Sequence, residues 1–142
     1  MKNNYDLLSS ILKTTQMGQI GIRAVMKYAA QPELKNALKQ QLHEYDSIEQ
    51  EAHALAASRG WEVSELDPVV KFMAMHYARM NLSFDRADSK IAGMMIQGNT
   101  RGMIKSLKNS HHAANPDERV AVLAQKLLDC ENANILQMQG FL

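Results

Sequence analysis

The sequence predicts an all-helical single domain, four long helices paired as two antiparallel hairpins with a shorter helical crossover between them. Three observations carry that expectation. Glycine and proline together number ten in 142 residues, too few to punctuate a sheet. Apolar residues recur at spacings of three, four and seven over long stretches, the period of one face of a helix. Pro32, Pro68 and Pro116 each open a new segment, at the first-turn position where the missing N–H of proline removes no helical bond. A chain of this length is long enough to bury a core as one domain.

The first helix is expected over residues 4–30, with Asn3 or Asn4 as its cap and Leu8, Ile11, Leu12, Thr15, Gly18, Ile22, Met26 and Ala29 along its apolar face. Gln31-Pro32 ends it and starts the second, over 32–59. So short a connection forces an antiparallel hairpin. Leu34, Leu38, Leu42, Tyr45, Ile48, Ala52, Leu55 and Ala56 form the second stripe. "SRGW" then reads as a C-cap, with Gly60 left-handed and Trp61 folded back on the last turn. A crossover helix follows over about 68–82, with Val69, Phe72, Met73, His76 and Met80 at helical spacing. The third long helix is expected over 84–112. Its stripes lie on more than one side, so it needs cover from the crossover or from a second subunit. Asn115-Pro116-Asp117-Glu118 starts the fourth, over 116–140, whose stripe is Val120, Leu123, Leu127, Cys130, Asn134, Met138 and Phe141.

Composition narrows the function classes. Sixteen Lys and Arg stand against 15 Asp and Glu, leaving no basic stripe for nucleic acid or an anionic membrane. The longest apolar runs are a few residues, far short of a membrane span, and the N-terminus has no signal-like apolar stretch. A single cysteine, Cys130, permits neither an internal disulfide nor a cysteine-based zinc site. A cytoplasmic location is therefore expected.

"LHEYDSIEQEAHAL", residues 42–55, holds two histidines and four acids. Each residue turns about 100° on the wheel, which disperses most of them. With Tyr45 as centre, Glu49 falls about 40° away and is the one acid well inside the apolar face. On the fourth helix Glu131 holds the matching place, about 40° from Leu127, with Asn134 about 20° to the other side. Gln19 sits about 40° from Thr15 on the first helix. A carboxylate aimed into hydrocarbon is costly unless protonated, hydrogen-bonded or bound to a cation.

The helix order, with the segments "PELKNALKQQL…SRGW" and "KIAGMMIQGNTRGMIKSLKN", resembles bacterial ferritin-like proteins, in particular the spore-coat F-type branch and small uncharacterised ferritin-like families of Firmicutes. That resemblance implies a ferritin-like four-helix bundle. In its metal-binding members two helices each supply Glu-x-x-His and the other two a Glu. Carried over by position, the first motif falls on Glu49-x-x-Ala52 and the second on Glu131-x-x-Asn134. Gln19 stands where a Glu is wanted, and the third long helix offers Gly98, Asn99 or Gly102. The implied metal set is Glu49, Glu131, Asn134 and Gln19, two carboxylates and two amides, and oxygen ligands of this kind suit a weakly held divalent cation such as Fe, Mn or Mg. The bland alternative is that these groups hydrogen-bond one another.

The remaining signals have ordinary readings. His53 and Asp46 read as surface partners, His76 as a packed histidine, and His111-His112 as the end of a helix where imidazolium suits the dipole. The methionines Met73, Met75, Met80, Met94, Met95 and Met103 read as core or interface, and Cys130 as a buried thiol with no basic neighbour. No nucleophile and base can be paired. The expected function is a non-catalytic, self-associating structural or interaction protein, by resemblance a spore-coat or stress component. The alternative is a divalent-metal protein with a degenerate carboxylate site. Met17, Ile20 and Ala24, on the far side of the first helix, add to the expectation of a homodimer or higher homo-oligomer.

Overall fold

A computed structural model describes residues 3–142, which form five helices and, among the described residues, no strand. They are α1 (Asn4–Met26), α2 (Pro32–Arg59), α3 (Val69–Leu82), α4 (Asp88–His111) and α5 (Glu118–Gln139).

Local chemistry sets the ends. Asn3 caps α1 by accepting from the Asp6 N–H at 2.8 Å. Helix α2 begins at Pro32 and stops where Gly60 turns left-handed at φ 68, and the Trp61 N–H then reaches back to the Ala56 carbonyl at 2.9 Å. Three boundaries differ from expectation. Helix α1 stops at Met26 rather than residue 30, because the Ala30 and Gln31 N–H groups donate to the Asp88 carboxylate, each at 2.9 Å. Helix α4 starts at Asp88 rather than 84, after an Asp85 turn that binds the Ala87 N–H. Helix α5 starts at Glu118 with Asp117 as its cap. Asn115, expected to cap it, adopts a left-handed turn at φ 46, which asparagine tolerates better than most residues.

Helices α1 and α2 form one hairpin and α4 and α5 the other, and the two pack together through α1 against α4 and α5 and through α2 against α5. Along α2 and α5 the pairs Gln41–Gln137, Glu44–Cys130, Glu51–Lys126 and Arg59–Asp117 rise on one helix as they fall on the other, so these helices are antiparallel. The core between the hairpins is aliphatic, with Leu8, Leu12, Ile22, Leu34, Leu38, Ile48, Ile91, Leu127 and Met138 fully buried. The 60–68 loop is tied along α1: the Ser64 N–H donates to Ser9 and the Leu66 N–H to Gln16.

Helix α3 lies against α1. It does not give α4 the cover that its sequence calls for, and Ile104 and Leu107 of α4 remain exposed. The far side of α1 is partly covered instead, so that Ala24 is buried while Met17 stays exposed. Only Ala78 and Leu82 of α3 are buried. Its expected stripe faces out: Val69, Phe72, Met73, His76 and Met80 are all exposed, and His76 is therefore not a packed histidine. Periodicity identifies an apolar face but not its cover, and here small residues face α1.

Candidate functional site

The four residues expected to face one another separate into two groups. Gln19 and Glu49 lie on the outer groove of the first hairpin, whereas Glu131 and Asn134 lie inside, beside Tyr45.

In the outer group, Glu49 is 21% exposed rather than deep in the apolar face, because the groove between α1 and the 60–68 loop opens at its level. Its Oε1 accepts from Gln19 Nε2 and its Oε2 from Gln16 Nε2, each at 2.9 Å. Gln16 cannot turn its oxygen inward, since that oxygen accepts from the Leu66 N–H at 3.0 Å. His53 completes the cluster, with Nε2 3.2 Å from Glu65 and 3.8 Å from Glu49. Asp46 instead accepts from Gln50. The groove encloses about 310 Å³ and carries charges of both signs, Arg23 and Lys71 against Glu49, Glu65 and Asp67. Gln16 gave no signal in the sequence because its partners lie 33 and 50 residues away.

The interior group is centred on Tyr45 of α2. Its ring lies on Gly18 of α1, where a Cβ would come within 2.6–2.9 Å of the ring atoms, so only glycine admits it. Its hydroxyl donates to Asn99 Oδ1 at 2.6 Å, and the Asn99 amide donates in turn to the Met95 carbonyl, which fixes its orientation. Burial, reinforced by the nearby Glu131 charge, pushes the phenol well above its ordinary range. Asn134 faces the phenol oxygen and also donates to Cys130 Sγ at 3.7 Å. Cys130 donates to Glu44 at 3.5 Å; burial first, then the Glu44 charge, pushes its thiol up to about 12. A thiol held protonated in this way is a poor nucleophile.

Glu131 is 1% exposed, and its Oε1 is buried without a hydrogen-bond partner. A Cβ on Gly102 of α4 would fall on this carboxylate, so glycine is what admits it. Burial alone raises its pKa to about 8, which leaves it mostly a neutral acid near pH 7.

No protein-family model, curated protein or solved structure matches this chain.

The residues present do not fit a paired-metal centre. Glu49 meets amide N–H groups where a centre needs oxygen or imidazole ligands, and Glu131 meets burial rather than a second carboxylate. Among the described residues no three His, Cys, Asp or Glu side chains are grouped to hold a metal. Beyond the expected set the interior uses Tyr45, Asn99 and Gly102, and Gln41 and Gln137 bond across α2 and α5 at 2.8 Å. These pairings join residues far apart in the chain; the inward wheel positions of Tyr45 and Glu131, with Asn99 and Gly102 at the matching level of the third long helix, gave notice of them.

Proposed function

We propose that this protein is a non-catalytic, self-associating helical protein, a ferritin-like bundle in architecture that acts by assembling rather than by turning over a substrate. One observation carries the reading. The apolar stripe of α3 faces outward, with Phe72, Met73, Tyr77, Met80 and the following Phe84 all exposed. Contiguous apolar surface of that size marks interaction sites on water-soluble proteins. The interior supports the reading from the other side: its thiol, bonded to Glu44, is held protonated, and its phenol is committed to Asn99. The resemblance to spore-coat F-type proteins adds a setting for such assembly, a coat or stress-protective layer, which belongs to the same proposal.

Light scattering on the purified chain at micromolar concentration tests it, with at least twice the 15.9 kDa chain mass expected and a monomer contradicting it. The rival reading, a degenerate divalent-metal site, is tested by elemental analysis of protein purified without chelator. Stoichiometric Fe, Mn or Mg lost in Glu49→Ala and Glu131→Ala would favour that rival.

A further inference from the structure

The outward face of α3 has a shape that says what covers it. We infer that it pairs with the same face of a second copy, the two α3 helices running antiparallel about a two-fold axis between His76 and Tyr77. This rests on the self-association reading and assigns it a surface and a register.

Area is the first argument. Phe72, Tyr77 and Phe84 are 73%, 57% and 100% exposed, which at about 150–250 Å² per aromatic amounts to roughly 350–575 Å². Val69, Met73 and Met80, also exposed, bring the face close to the ~800 Å² that each partner gives a standard interface.

Reversal symmetry is the second. A two-fold interface must be complementary to itself, residue i meeting j and j meeting i. With the axis between His76 and Tyr77, Met73 meets Met80 of the other copy, Val69 meets Phe84, His76 meets Tyr77, and Phe72 meets the half-buried Asn81. The first three pairs join exposed residues, and the face extends about 22 Å along the helix.

A charge exchange tests surface and register together. Met73 and Met80 are exposed, so Met73→Glu and Met80→Lys leave the helical fold intact by circular dichroism. Each alone places a charge against a methionine of the other copy and is expected to weaken association by about tenfold or more. The double variant sets the introduced carboxylate of one copy against the introduced ammonium of the other, twice over. It is expected to return to within about threefold of wild type, as read by sedimentation equilibrium at low salt. Single variants that weaken association without recovery in the double variant overturn the antiparallel register. A dimer untouched by both, but dissociated by Ile104→Glu on α4, overturns the surface and leaves self-association standing. A monomeric wild type removes both.

Discussion

Helices α3 and α5 carry equally regular apolar rows and have opposite fates. In α5 the residues Val120, Leu123, Leu127, Asn134 and Met138 are buried between the hairpins. In α3 the residues Val69, Phe72, Met73, His76 and Met80 face outward, and the helix touches α1 through Ala78 and Leu82. A helical row says that something covers a face; only the packing says whether the cover comes from the same chain. The α5 row folds the monomer, and the α3 row is available for assembly.

The sharpest way to break this comparison is to truncate one residue from each row. Leu127→Ala leaves a cavity at a fully buried place and is expected to cost about 2–5 kcal/mol in urea unfolding. Phe72→Ala, measured at a concentration where the chain is monomeric, is expected to change stability by about 0.5 kcal/mol or less. A large loss in Phe72→Ala would mean that the α3 row belongs to the core.

The next effect concerns the polar residue inside the α5 row. Glu131 holds its proton up to about 8 when folded, against 4.5 in its ordinary state. The folded state therefore binds more protons than the unfolded between those values, and stability falls as pH rises through that window. The loss is expected to approach about 1.4 kcal/mol per pH step between roughly 5 and 8, and to level off above. Glu131→Gln keeps the shape without the charge, so urea midpoints for that variant are expected to stay flat across the same range. An unchanged slope would place the titrating group elsewhere.

The smallest effect lies at the hinge of the first hairpin. Asp88→Asn replaces an oxygen that accepts a backbone N–H with an amide that cannot, at a carboxylate that receives both the Ala30 and Gln31 N–H groups. Thermal unfolding is expected to show a loss of about 1–3 kcal/mol, and wild-type stability would indicate that water replaces the contact.

The sequence made α2 fully legible, from Pro32 to the left-handed Gly60 cap, because the signals for both ends are local. Local signals carry α1 four residues too far and start α4 four too early, since the contact that stops one and anchors the other joins Asp88 to residues 57 and 58 positions away. The inward positions of Tyr45 and Glu131 were readable from the wheel. Glu49, at the matching angle, turned out to face an open groove, because the wheel gives direction from an axis but not what lies in that direction. The amides of Gln16 and Gln19 that meet it are contributed by the neighbouring helix.

Methionine methyl resonances, followed as the protein is diluted through the micromolar range, test most directly whether the α3 row is an assembly surface. Met73 and Met80 are exposed on α3, while Met138 is buried on α5. The account predicts that the Met73 and Met80 methyls shift together with dilution while Met138 stays fixed. Methyls of α3 that do not respond, in a protein whose mass still falls on dilution, would contradict it.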